Sequence, residues 1–188
     1  MAEQDPRAVV LVEGLSDRYA LRALAERRGR DLDAEGVTVL AIGGAHAIGR
    51  YAELYGPRGL GVTVAGLCDA GESPAVGRAL ERAGLGSGLD RVAMEELGFY
   101  VCVADLEDEL IRALGVDRVE RVLAAEDDLG SFRTLQKQPA WRDRTTAEQL
   151  RRFFGSGSGR KLRYATLLVR ALDLDRVPRP LDGVLAHV

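Results

Sequence analysis

Cysteine and histidine are almost absent from this chain, with two of each in 188 residues. Cys68 and Cys102 both sit inside apolar runs, which excludes a disulfide-stapled fold and reads as reduced, buried thiols. With only His46 and His187 beside them, a structural zinc cluster is excluded. Aromatic residues make up 5% of the chain, so Leu, Val, Ala and Ile must build the core. Long hydrophobic runs are missing as well. The longest are strand-sized, far short of the ~20 residues that span a bilayer. The opening Met-Ala-Glu-Gln-Asp-Pro-Arg lacks the basic-then-apolar plan of a secretory leader. These absences describe a cytoplasmic protein with no membrane partner. No G-x-x-x-x-G-K-[ST] loop occurs either, so the expectation is a stand-alone domain without ATP-driven gating of its own.

What the chain does have is charge, unevenly spread. Residues 1–128 carry 14 basic and 24 acidic residues, a net of −10, whereas residues 129–188 carry 12 basic and 5 acidic, a net of +7. The reading is an acidic body at 1–128 with a basic helical extension at 129–188 packed on it. Arg supplies 24 of the 26 basic residues, a bias that genome composition explains as well as phosphate recognition does.

Apolar runs of strand length alternate with helical patterns. Ala8 to Val12, Val37 to Ile42, Gly61 to Leu67 and Gly98 to Ala104 read as strands, the first buried on both faces. Between them fall helices at about 17–28, capped by Ser16, at 46–55, at 74–84 with Pro74 in its first turn, and a short one at 91–97. Strand then helix, four times over, predicts an α/β fold with a parallel four-stranded sheet. Beyond Asp105 only helical patterns follow, at 105–114, 116–126, 131–138, 146–154 and 160–172. Gly155 to Gly159 forms a loop, and Pro178 and Pro180 close the last helix. Phe132, Trp141, Phe153 and Phe154 read as core of this helical part.

Ligands of open parallel sheets sit beyond the carboxyl ends of the strands. Glu13 and Asp17 follow the first strand, Asp69 and Glu72 the third, Asp105 and Glu107 the fourth. Carboxylates brought together repel unless a cation compensates them. Hard oxygen ligands point to Mg²⁺ or Mn²⁺. Each acid also has a plainer reading. Asp17, Glu72, Asp105 and Glu107 are all well placed to favour a helix N-terminus.

Val10-Leu11-Val12-Glu13-Gly14-Leu15-Ser16-Asp17 resembles the first motif of Toprim domains, a hydrophobic strand, then Glu-Gly and a further acid. Ala41-Ile42-Gly43-Gly44 before a helix resembles the second strand and glycine turn of the OLD (overcoming lysogenization defect) branch. Val103-Ala104-Asp105-Leu106-Glu107 resembles that branch's late Asp-x-Glu, and Gly159-Arg160-Lys161 its lysine. One departure stands out. The third strand of the family carries Asp-x-Asp, and this chain reads Asp69-Ala70-Gly71-Glu72.

The resemblance implies a Rossmannoid Toprim fold and cleavage of DNA phosphodiester bonds by two Mg²⁺ or Mn²⁺ ions roughly 3.5–4 Å apart. Glu13, Asp17, Asp105 and Glu107 would hold one ion, and Asp69 with Glu72 the other. Glu13 would also act as a base, and Lys161 would offset charge on the phosphate. Gly43, Gly44, Arg160 and Arg163 would meet the nucleic-acid backbone. The altered third-strand motif leaves open a weakly catalytic module that binds metal and nucleic acid to regulate or scaffold. The implied partners are DNA before RNA, with a homodimer or a separate ATPase as candidate assemblies.

Overall fold

The computed structural model describes residues 5–157 and 159–188. Residues 1–4, where the leader reading and the first unit begin, and Ser158 of the glycine–serine loop lie outside the described residues.

Five consecutive apolar residues form the central strand β1, Ala8–Val12, with every one of them fully buried. Successive side chains of a strand face opposite ways. Ala8, Val10 and Val12 therefore join one core, and Val9 and Leu11 another. That two-sided burial is why the run reads as continuously apolar. β1 lies between β2 (Val37–Ala41) and β3 (Thr63–Asp69), and β4 (Phe99–Cys102) pairs with β3. The sheet order is β2-β1-β3-β4 and each pairing is parallel. All four carboxyl ends thus open on one edge.

Ten α-helices complete the described residues. α2 (Ile48–Tyr55), α3 (Ser73–Arg82) and α4 (Arg91–Glu96) cover one face. α1 (Leu15–Arg27) and the later helices cover the other: α5 (Leu106–Leu114), α6 (Val116–Ala125), α7 (Leu129–Gln136), α8 (Thr146–Phe154), α9 (Arg160–Ala171) and α10 (Arg179–His187). Buried residues on both sides of position 128 share this second core. At its centre Phe154 stacks on Tyr164 at 4.9 Å, and Phe132 meets Phe153 edge-on at 5.5 Å. Such pairs each add about 0.5–1.5 kcal/mol beyond their burial. Trp141 is only partly buried.

Several boundaries differ from the sequence expectation, each for a visible reason. α1 starts at Leu15, with Gly14 as its cap and Ser16 buried inside it. The Asp17 carboxylate reaches back to accept the N–H of the cap residue Gly14 at 2.8 Å, and no side chain caps the first-turn donors as Ser16 was expected to do. β3 starts two residues late, because Leu60 and Val62 donate back to the end of α2. β4 ends two residues early, because the Val103 N–H goes to the buried Glu109 carboxylate at 2.8 Å. The prolines near the C-terminus do not end the helical part. Pro180 sits in the first turn of α10, where its missing N–H costs nothing.

Candidate metal centre

The strand ends build the site. Glu13 follows β1 directly, and its backbone carbonyl accepts the N–H groups of Gly43 and Gly44 at 3.0 and 3.2 Å. Both glycines have positive φ, 77° and 114°, which turns the chain after β2 back toward β1. Their donors therefore fix Glu13, and a phosphate would have to compete for them. Asp69 is the last residue of β3, and Glu72 is the cap position of α3. Asp105 caps α5, accepting the Asp108 N–H at 2.8 Å, and Glu107 stands in that helix's first turn.

A cleft of about 600 Å³ opens on this edge. Its walls include Glu13, Asp17, Asp69, Asp105 and Lys161, with the glycine turn on one side. Glu13, Asp69 and Glu72 each offer an oxygen such that all three lie within 4.8 Å of one another. Glu13 Oε1 and Glu72 Oε2 are buried with no hydrogen-bond partner. Oxygens left in this condition are costly unless a cation takes them. Burial pushes the Glu13 carboxyl up to about 8, helped by a hydrogen bond shared with Glu72 and by the charge of Asp69. Burial and then the charges of Asp105, Asp17 and Glu72 raise Asp69 to about 6. Hard, clustered, partly desolvated carboxylates are the donor set of Mg²⁺ or Mn²⁺, so the residues fit such an ion.

The other acids keep different company. Glu107 is 5% exposed and meets Lys161 Nζ at 3.2 Å, and its second oxygen is an orphan. Burial raises its carboxyl to about 7 against the pull of Lys161. Burial also raises Asp17. Asp105 is gripped by Arg151 of α8, whose Nη2 and Nε reach Oδ2 at 2.5 and 3.2 Å. Beneath the site the Cys68 thiol is pushed up to about 12 by burial and by the carboxylates, which leaves it protonated and unreactive.

Not every expected residue reaches the cleft. Arg160 folds over the Phe153 ring at 4.1 Å and bonds to the Phe153 carbonyl and Ser156. Arg163 pairs with Glu126 and Asp128. Arg151 is the residue that sequence reasoning missed. Its partner lies 46 positions away, and nothing local marks it among so many arginines.

A family model described as overcoming lysogenization defect protein-like, TOPRIM domain, matches residues 6–70. Over that stretch the chain is similar to an OLD-like Toprim domain, and its fold as a whole is that of OLD C-terminal regions. The C-terminal region of the Xanthomonas campestris pv. campestris OLD protein is 27% identical, with a TM-score of 0.73 over 97% of this chain and 92% of that one. The C-terminal region of the Burkholderia pseudomallei OLD protein is 21% identical, also with a TM-score of 0.73, over 97% and 96%. The latter likeness bears on fold alone. No curated protein matches in sequence. The matched stretch holds β1, the glycine turn and Asp69, which supply one wall of the cleft. Among the described residues no helix is long and apolar enough to cross a membrane.

Proposed function

We propose that this Toprim domain cleaves phosphodiester bonds in DNA with a divalent cation held by Glu13, Asp69 and Glu72. The observation that carries this reading is the meeting of those three carboxylates with two orphaned oxygens between them. When bound there, Mg²⁺ or Mn²⁺ supplies Lewis-acid chemistry and eases ionisation of a water. The chain's own groups do the rest. Glu13, at the end of β1 beside the ion, accepts the proton of the attacking water. Lys161 rises from the first turn of α9 into the same cleft, half exposed, and offsets negative charge growing on the phosphate. Contacts to the nucleic-acid backbone by the basic segment 129–188 would position the substrate without reading its sequence.

A second reading is favoured by Gly71 in place of an acid and by Arg151 on Asp105. In it the domain binds metal and nucleic acid but cleaves poorly, and serves to regulate or scaffold. Incubating the purified protein with supercoiled plasmid and Mg²⁺ or Mn²⁺, with Asp69→Ala as control, separates the two. Cleavage that needs the ion and is lost in Asp69→Ala supports the first. Ion-dependent DNA binding with intact plasmid supports the second, and cleavage by Asp69→Ala at the native rate refutes the assignment.

A further inference from the structure

The six acids around the cleft divide into two sets with different partners. Glu13, Asp69 and Glu72 face one another, and among the described residues none of them pairs with Lys or Arg. Asp17, Asp105 and Glu107 are each engaged from within the chain. Asp17 Oδ2 holds the Gly14 N–H at 2.8 Å. Asp105 uses Oδ1 for the Asp108 N–H at 2.8 Å and Oδ2 for Arg151 at 2.5 Å. Glu107 Oε2 has Lys161 Nζ at 3.2 Å. Two cations thus form ion pairs within this set, and among the described residues none forms an ion pair with the other.

We propose that the chain takes a single divalent ion, between Glu13, Asp69 and Glu72, and that Arg151 with Lys161 fills the place of a second ion beside Asp105 and Glu107. The inference rests on the metal-dependent function above and departs from the two-ion arrangement expected from sequence. Arg151 is a positioning residue in this scheme. Its guanidinium neutralises Asp105 and fixes the carboxylate against the N-terminus of α5. A second ion would have to strip Asp105 from both partners and then sit beside the displaced guanidinium, a like charge. The first set imposes no such exchange, because two of its oxygens are buried with no partner to release.

The test counts ions on the full chain, by Mn²⁺ titration followed by electron paramagnetic resonance and by calorimetry. The native protein should bind one ion, and Arg151→Met should bind two. Arg151→Lys should restore the count to one, because the charge returns. Asp105→Asn should keep the count at one without loss of affinity for that ion, and it decides the matter if Arg151→Met does not fold by circular dichroism. Two ions on the native chain overturn the inference and leave the metal-dependent function standing. A folded Arg151→Met that binds one ion, or a loss of affinity in Asp105→Asn, also overturns it. No ion on the native chain overturns both this inference and the proposed function.

Discussion

The Glu72 side chain turns back from the start of α3 to meet Glu13 at the end of β1, where one oxygen of each, with one of Asp69, lie within 4.8 Å of one another. At its position Glu72 could have capped its helix, and it makes no such bond. The side chain instead brings its oxygen to those of Glu13 and Asp69. Glu72→Gln should therefore weaken Mn²⁺ binding by at least the ~10–100-fold that losing an outer partner of a metal ligand costs. A calorimetric titration checks it, and native affinity in Glu72→Gln would return this residue to a purely helical role.

Gly71 offers the complementary change. A Cβ built there meets nothing within 4 Å, and its backbone is not left-handed. Gly71→Asp should fold with an unchanged melting temperature, bind Mn²⁺ more tightly than the native chain, and raise any plasmid cleavage. Weaker binding would show that Glu72 and an acid at 71 compete for the same space.

The raised carboxyls set a pH dependence with a defined sign. Glu13 moves from 4.5 to about 8, Asp69 from 3.8 to about 6 and Glu107 from 4.5 to about 7. Each binds its proton more tightly when folded. The stability they contribute is complete below about pH 4 and is lost as pH rises toward 8. In EDTA the melting temperature should fall between pH 5 and pH 8.5, and Glu13→Gln should flatten that fall. Ion binding runs the other way, since the ion needs the proton gone. Mn²⁺ affinity should drop by about tenfold per unit as pH falls from 8 to 6, where Glu13 must give up its proton, and more steeply below 6, where Asp69 must as well. An affinity that is flat from pH 6 to 8 would remove Glu13 from the ion's ligands.

Much of this site could be read in the sequence because its parts lie where strands end. Glu13, Asp69 and Asp105 each follow an apolar run, and parallel pairing forces such positions onto one edge. The partnerships were not legible. Glu72 was expected chiefly to serve its helix, since spacing alone gives no hint of which way a flexible side chain turns. Arg151 and Lys161 act across several intervening helices, on acids 46 and 54 positions away, distances over which no periodicity speaks. Even the strand ends were displaced by two residues where the Glu109 side chain, or the backbone at the end of α2, took a donor from the ladder. The last helix was missed because Pro178 and Pro180 were read as stops, when the first turn of a helix tolerates proline.

Without an ion, DNA binding should be weak, because the cleft presents a cluster of carboxylates to a polyanion. Adding Mg²⁺ or the less reactive Ca²⁺ should strengthen binding of a fluorescent DNA, and raising monovalent salt should weaken it. Anisotropy in EDTA and in each ion reads this directly. Binding that is equally tight in EDTA would place the nucleic acid elsewhere on the surface.

The docking of α10 offers a test of the fold that is independent of the chemistry. A Cβ at Gly183 would lie 2.2 Å from the Tyr100 ring of β4, so the helix can approach the sheet only because this position has no side chain. Gly183→Val forces the ring or the helix to move, and overpacking of this kind costs about 1–3 kcal/mol. In a chain of this size each kcal/mol lowers the melting temperature by about 2–4 °C. Gly130, early in α7, is the control. A Cβ there meets nothing within 4 Å, and Gly130→Ala should hold or slightly raise the melting temperature by restricting the unfolded chain. If Gly183→Val melts like the native protein while Gly130→Ala behaves as described, α10 does not pack on Tyr100. The C-terminal helix would then be an appendage, and the core on that face of the sheet would end at α9.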